Sequence, residues 1–173
     1  MLIIAYIATL MSYLCYCRSR YFKTKKNMVS LDLASKLFSI VALVLMGSLT
    51  GGFNMALSFV LLIIIRIREK RNFSEIANVL LFSVFLCGYI SILIFTFQGL
   101  PSVLTFLTSS LTLTGLCFLS PQGMRKIGIF ASSLYLCYML SIKNWVGLLE
   151  ILVLFSNITS YLYYKKTTKK QKV

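Results

Sequence analysis

Two polar side chains in the last apolar stretch of the chain have the types and the spacing of a membrane binding site. Glu150 lies in the run NWVGLLEILVLFSN, whose residues 145–155 otherwise carry only one polar group, the indole N–H of Trp145. Asn157 follows seven residues later, nearly two helical turns, so both side chains share one helix face. A carboxylate inside an apolar span is a functional-site candidate, able to bind a solute amine or hydroxyl or a proton. The alternative role is a hydrogen bond that holds two helices together.

Amide and hydroxyl residues recur at helical spacing in three other apolar stretches. Asn54 and Ser58 are spaced i,i+4, and Asn54 either faces a cavity or caps the helix that starts beside it. Two further stretches carry a stripe at i, i+3, i+4 and i+7, which suits close helix packing and also a polar pathway. These stripes are Thr9, Ser12, Tyr13 and Tyr16, and Thr105, Thr108, Ser109 and Thr112. The predicted solute-binding residues are Asn54, Ser58, Thr105, Thr108, Ser109, Thr112, Glu150 and Asn157.

The residue types argue against catalysis and against a metal or cofactor site. The chain has no histidine, so Ser-His and Cys-His pairs cannot form and the commonest metal ligand is missing. Glu150 has no evident basic or metal-binding partner in the sequence. The cysteines lie in apolar runs without metal-type spacing and are interpreted as buried, inert thiols. They are Cys15, Cys17, Cys87, Cys117 and Cys137.

The composition is that of an integral membrane protein. Of the 173 residues, 58% are hydrophobic and 13% charged, whereas soluble domains have about a quarter charged residues. Hydropathy predicts seven membrane helices, near or above the roughly 20 residues that cross a bilayer. The first lacks the features of a cleaved signal peptide and is expected to be retained. The predicted spans are 2–17, 30–47, 53–67, 75–97, 101–120, 125–142 and 144–164.

The basic residues predict how these helices are oriented. The links after spans one, three and five and the C-terminal tail hold every Lys and Arg except Lys36 and Lys143. By the positive-inside rule, these segments are cytosolic, so the N-terminus is outside and the C-terminus inside. The net charge of +14 is therefore mainly an orientation signal rather than a nucleic-acid footprint. Lys36 lies one turn after Asp32, where an i,i+4 ion pair is natural.

The order of helix directions predicts an internal repeat. Spans one to three run in the same sequence of directions as spans five to seven, because span four inverts the chain between them. Parallel three-helix repeats are a known transporter plan. We therefore predict an all-α fold of two three-helix bundles joined by a linker helix (3+1+3), although a seven-helix bundle without symmetry is the alternative. The predicted units are a first bundle at 1–70, a linker helix at 71–99, a second bundle at 100–166 and a basic cytosolic tail at 167–173.

Two long stretches carry a family resemblance. LASKLFSIVALVLMGSLTGGFNMALSFVLLIIIRIR and IFASSLYLCYMLSIKNWVGLLEILVLFSNITSYLYYK resemble the two halves of YgjV-like bacterial inner-membrane proteins. That family in turn resembles the SWEET, PQ-loop and nicotinamide-riboside transporter superfamily. The likeness implies the 3+1+3 fold and a central solute cavity faced by asparagines on the third helix of each triplet, here Asn54 and Asn157. Pro121 and Gln122 are similar to the pair that names the PQ-loop proteins.

The leading functional hypothesis is a transporter or facilitator of a small polar solute through a cavity between the two bundles. The runner-up is a non-transporting membrane receptor, immunity protein or assembly and interaction protein. An enzyme is not expected. The expected partners are membrane lipids and a small polar solute, with no nucleic acid, and a homo-oligomer or larger membrane complex is left open. The predicted location is the cytoplasmic (inner) membrane of a bacterium.

Overall fold

The computed structural model describes residues 2–47, 49–71, 75–97, 99–141 and 145–170, and within these ranges the chain is helical with no β-strand. Seven α-helices occur, as the hydropathy predicted, and a short 3-10 helix, Trp145–Leu149, precedes the last of them. The α-helices are α1 (Leu2–Arg20), α2 (Lys25–Leu45), α3 (Leu49–Arg71), α4 (Glu75–Phe95), α5 (Leu100–Phe118), α6 (Pro121–Ser141) and α7 (Glu150–Lys170).

Glycine and proline set several of the helix boundaries. Gly47 follows α2 with a φ of 74°, and Gly99 precedes α5 with a φ of 81°, a left-handed backbone region that glycine enters without a Cβ penalty. Pro101 and Pro121 lie in the first turn of α5 and α6, where the missing N–H removes no helical hydrogen bond. These residues make the short connections that turn the chain back on itself.

Six of the helices form a closed series of contacts. Helix α1 contacts α2, α2 contacts α3, α3 contacts α5, α5 contacts α6, α6 contacts α7, and α7 contacts α1. The remaining helix, α4, packs on α3 and α5 and buries only Phe85 and Tyr89. Many of its other large apolar side chains, such as Ile76, Leu80 and Val84, are exposed. The six-helix series therefore surrounds the interior, and α4 lies outside it.

An apolar cluster and a cavity occupy different parts of the interior. The largest apolar cluster joins the start of α2 to the later parts of α3 and α5 through residues such as Val29, Leu62, Ile65 and Leu113. Phe85 and Tyr89 of α4 also pack in this cluster. At the opposite end, where α2 and α6 finish and α7 begins, polar side chains line a cavity. The apolar cluster holds the helices together and leaves that cavity as the candidate site.

The apolar length of the helices agrees with a membrane protein. Four segments are long and apolar enough to cross a bilayer, namely α2, residues Gly51–Arg68 of α3, α4 and α5. That the remaining three helices also span remains a prediction. The last predicted span, 144–164, was wrong in one respect, because residues 145–149 form a 3-10 helix and α7 begins only at Glu150. Gly147 in this 3-10 helix lies so close to Met139 that a Cβ would clash.

Candidate functional site

A cavity of about 90 Å³ with polar side chains in its lining lies inside the six-helix series. Every α-helix except α4 lines it. The lining comes from the middle of α1 and α5, the first half of α3, the second half of α2 and α6, and the start of α7. Such a volume corresponds to about three water molecules at roughly 30 Å³ each. The lining includes an acid and a base, Glu150 and Lys36, together with serine, threonine and tyrosine hydroxyls.

The acidic side of the cavity is built around Glu150, the first residue of α7. Its side chain is 6% exposed, and its carboxylate has hydrogen-bond interactions with the hydroxyls of Tyr13 on α1 and Ser132 on α6. Tyr16 and Tyr135 lie close enough to interact electrostatically with the same carboxylate. Glu150 therefore faces the protein interior, as its cost in lipid requires, and hydroxyls of two neighbouring helices bind it.

The basic side of the cavity is built around Lys36 of α2. Its ammonium donates to the sulfur of Met55 on α3 at 3.1 Å. The hydroxyls beside it form a cluster in which Ser12 of α1 is hydrogen-bonded to Ser35 at 3.1 Å and to Ser39 at 2.7 Å. All three serines line the cavity. An ammonium with adjacent hydroxyl donors is suited to bind an anionic group.

Lys36 and Glu150 interact electrostatically across the cavity, but they do not form an ion pair. Within the described ranges, the structure has one ion pair, between Arg20 and Asp32. The predicted i,i+4 ion pair of Lys36 with Asp32 does not form, although the two charges interact electrostatically. Asp32 instead binds Arg20 of α1 and accepts a hydrogen bond from the hydroxyl of Ser19 at 2.5 Å, because the end of α1 packs beside the start of α2.

The predicted hydroxyl stripe on α5 is divided between the cavity and the helix interfaces. Thr108 and Thr112 line the cavity, whereas Thr105 and Ser109 are buried without lining it. The threonine hydroxyls also donate to carbonyls one turn earlier on their own helix, Thr105 to Pro101 at 2.8 Å and Thr112 to Thr108 at 2.9 Å. These hydrogen bonds, which are common for threonine in helices, use the hydroxyl hydrogen, so it is not available to a ligand. Half of the predicted stripe thus lines the site.

The two predicted asparagines are buried near the cavity and do not line it. Asn157 is 0% exposed, donates to Ser132 at 3.3 Å, and has an amide oxygen without a partner in the described structure. Because Ser132 also interacts with Glu150, the predicted shared face of Glu150 and Asn157 is present. Asn54 is 3% exposed, and its amide oxygen is likewise without a partner there.

Ser58 belongs to a second, smaller space. A cavity of about 30 Å³ lies beside the first and shares Tyr16, Lys36 and Thr112 with it. Ser58 lines this second cavity and is hydrogen-bonded to the hydroxyl of Tyr89 at 2.8 Å and to the Asn54 carbonyl at 2.8 Å. The second cavity is also lined by Arg20 and Asp32, and it is adjacent to the first because the two share three lining residues.

A network of arginine and tyrosine contacts closes the bundle at the end where α1 finishes and α6 begins. Arg125 of α6 is 2% exposed and donates to the carbonyls of Arg20 at 2.9 Å and Phe22 at 2.5 Å. Its guanidinium lies 4.1 Å from the ring centroid of Tyr164 on α7. Beside it, Gln122, the residue compared above with the PQ-loop pair, donates to the Tyr161 carbonyl at 2.8 Å. This network joins α1, the following link, α6 and α7.

Several residues of the site were missed in the sequence. Lys36 was interpreted only as a partner of Asp32, although a charge inside a predicted span carries the same functional signal as Glu150. Ser12, Tyr13 and Tyr16 stood in a recognised stripe but were not included in the predicted site. Ser35, Ser39, Ser132 and Tyr135 gave no distinctive signal, because single hydroxyl residues are common on membrane helices.

Comparison with known proteins gives one match, which covers most of the chain. The family model of Imp-YgjV, described as bacterial inner membrane protein, matches residues 2–168. No curated protein and no solved structure matches the chain. The further likeness to SWEET and PQ-loop proteins finds no support in these comparisons and stays a prediction. The chain therefore belongs to the Imp-YgjV family of bacterial inner membrane proteins.

Proposed function

We propose that this protein is a multi-pass transporter or facilitator that passes a small polar solute through the cavity between two three-helix bundles. The observation that carries the proposal is the cavity of about 90 Å³ lined by Lys36, Glu150 and hydroxyl groups from four helices, α1, α2, α5 and α6. Interhelical hydrogen bonds that serve only packing are expected in dry contacts between helices. Here the acid and the base instead face a space large enough for several waters.

The helix contacts support the 3+1+3 architecture within this proposal. In a repeat, α1 corresponds to α5 and α3 corresponds to α7, so a contact of α1 with α7 requires an equivalent contact of α5 with α3. Both contacts occur, and α4 lies outside the six-helix series as a linker helix does. We infer a first bundle at 1–70, a linker helix at 71–99 and a second bundle at 100–166, followed by the basic tail.

The distribution of charge supports an external N-terminus and a cytosolic C-terminus. With the basic links inside, the large cavity lies in the outer half of the bundle and the Arg125 network lies at the cytosolic end. This arrangement corresponds to a carrier that receives solute from outside while its inner end is closed. The exposed apolar face of α4 is free for lipid or a second copy, and the proposal includes no enzymatic activity and no cofactor.

The proposal is tested by solute flux into liposomes. The purified protein is reconstituted in phosphatidylethanolamine and phosphatidylglycerol liposomes, and light scattering follows swelling in a panel of small polar solutes: glycerol, urea, glycine, β-alanine and acetate. We expect at least one solute to equilibrate faster than in protein-free liposomes. If none does, the non-transporting alternative, a receptor, immunity protein or assembly subunit, replaces this proposal.

A further inference from the structure

We propose that the solute of this cavity is a small zwitterion, with an ammonium group that binds at Glu150 and a carboxylate that binds at Lys36. The inference rests on the proposed function, because it names the class of solute that the same cavity takes. It comes from the arrangement of two opposite charges that share a cavity without pairing with each other.

The Glu150 side of the cavity has the chemistry of an ammonium site. A carboxylate supplies the opposite charge, and the rings of Tyr13 and Tyr135 line the same space. The Tyr16 ring also lines it, but the guanidinium of Arg20 already lies 4.1 Å from the centroid of that ring. Aromatic faces attract cations through the ring quadrupole, and the attraction grows when the cation is desolvated. A carboxylate with several aromatic neighbours therefore favours a primary or substituted ammonium over a neutral hydroxyl.

The Lys36 side has the chemistry of a carboxylate site. The ammonium is a compact point charge with several donors, and the hydroxyls of Ser35 and Ser39 are on the same helix beside it. Both hydroxyls are already hydrogen-bonded to Ser12, which fixes their positions. A carboxylate bound there accepts a charge-assisted hydrogen bond from Lys36 and one further bond from the serine cluster, whose other two hydroxyl hydrogens are used within it.

Because the two charges are separate, a solute that carries both an ammonium and a carboxylate fits the cavity better than a solute with one charge or none. Charged side chains within a membrane protein are costly unless they pair or face water, and Lys36 and Glu150 form no direct ion pair with each other in the described structure. A zwitterion between them pairs with both charges at once and leaves the cavity neutral. A neutral polyol satisfies the hydroxyls but leaves the two charges apart, and a simple anion or cation satisfies one charge only.

The volume limits the solute to a small molecule. A cavity of about 90 Å³, equal to the volume of about three liquid waters, limits the solute to a few non-hydrogen atoms. β-Alanine is a small solute that carries the two charges at opposite ends. Glycine is shorter and 4-aminobutanoate is longer. The relative affinities of the three solutes therefore indicate the distance between Glu150 and Lys36.

The test is binding to the purified wild-type protein, measured by the rise in the thermal unfolding midpoint with ligand concentration. The probes are β-alanine, its two length neighbours, acetate, ethylammonium and glycerol. We expect one of the zwitterions to bind about tenfold or more tightly than acetate, ethylammonium and glycerol, the difference expected when one charged contact is lost. Equal affinity for glycerol and the zwitterions would overturn the inference, and this comparison needs no variant.

Two variants assign the ends of the solute. Glu150→Gln should reduce the affinity for the zwitterion to that for acetate, and Lys36→Met should reduce it to that for ethylammonium. Glu75→Gln and Lys126→Met make the same chemical changes at exposed positions and should leave the affinity unchanged. A zwitterion affinity unchanged in both cavity variants contradicts the assignment.

Flux measurements separate this inference from the proposed function. If glycerol enters the liposomes and no zwitterion does, the transport proposal stands and the proposal of a zwitterionic solute is wrong. Zwitterion binding without flux of any solute would sustain the class of ligand and overturn transport. Flux of a zwitterion that depends on Lys36 and Glu150 supports both.

Discussion

Lys36 of α2 and Glu150 of α7 line the same cavity and interact electrostatically, yet they form no ion pair with each other. Neither residue has an obvious partner on its own helix at the cavity. Asp32, one turn before Lys36, is engaged by Arg20 and Ser19. Two opposite charges held apart in a polar space inside a membrane bundle are more readily explained by a bound solute than by helix packing.

The substitution Glu150→Gln separates these two roles. It keeps the shape and most of the hydrogen bonds to Tyr13 and Ser132 but removes the charge and the titration. We expect solute flux to fall by about tenfold or more and to lose its pH dependence, while the thermal unfolding midpoint stays near that of the wild type. Flux is measured across pH 5 to 8 in liposomes, with Glu75→Gln as the control. Unchanged flux with a lower unfolding midpoint would mean that Glu150 is a packing residue.

The contact between Gly128 and Asn157 should tolerate no side chain at Gly128. A Cβ on Gly128 would lie 2.8 Å from the Asn157 amide oxygen, whereas a Cβ on Gly115 would lie 3.7 Å from its nearest neighbour, Ile127. We expect Gly128→Ala to destabilise the protein by ~1–3 kcal/mol through overpacking of α6 on α7. Gly115→Ala is the matched control and should have little effect. Thermal unfolding of both variants measures the difference, and equal stabilities would show that α6 and α7 are not in this contact.

The sequence predicts those features of the fold and the site that depend on residues within one helix. It does not predict those that depend on packing between helices. Seven helices follow from long apolar runs, and the shared face of Glu150 and Asn157 follows from helical periodicity. The 3-10 helix before α7 could not be predicted, because hydropathy does not distinguish helix types. The position of Lys36 in the cavity depends on which helix takes Asp32, and only packing between helices decides that. Likewise, periodicity grouped the α5 stripe, but packing decided that Thr108 and Thr112 face the cavity.

Arg125 should be the residue that most stabilises the closed end of the bundle. Its guanidinium binds two carbonyls of the α1–α2 region and stacks on Tyr164, and hydrogen bonds to a charged group contribute about 1.5–3 kcal/mol each. We expect Arg125→Gln to lower stability by ~2–4 kcal/mol. Arg125→Lys should restore little of it, because an ammonium lacks the guanidinium fork.

The exposed neighbour Lys126 provides the control for the Arg125 variants. Lys126→Gln removes a charge from the same turn of α6 without touching the network, and its unfolding midpoint should match that of the wild type. If Arg125→Gln and Lys126→Gln are equally stable, the network at this end does not hold the helices together.

The orientation of the chain is tested by reporters. A reporter fused after Val173 should be cytosolic, and one inserted at Gly47, in the turn between α2 and α3, should be external, because the basic links determine the cytosolic side. Activity of alkaline phosphatase, which requires the external side, and fluorescence of a green fluorescent protein fusion, which requires the cytosol, distinguish the two positions. An external C-terminus would contradict seven spans and the repeat with them.

The most direct test of the account is whether the cavity itself is the path of the solute. Ala131 lines the cavity, whereas Ser133, two residues later on α6, is exposed on the outside of the bundle. Ala131→Phe fills the cavity, and Ser133→Phe adds the same ring on the outer surface. Swelling of liposomes that contain each variant is compared with the wild type in the solute that passes fastest. The account predicts that Ala131→Phe abolishes the flux and Ser133→Phe retains it, whereas equal flux through both variants would contradict it.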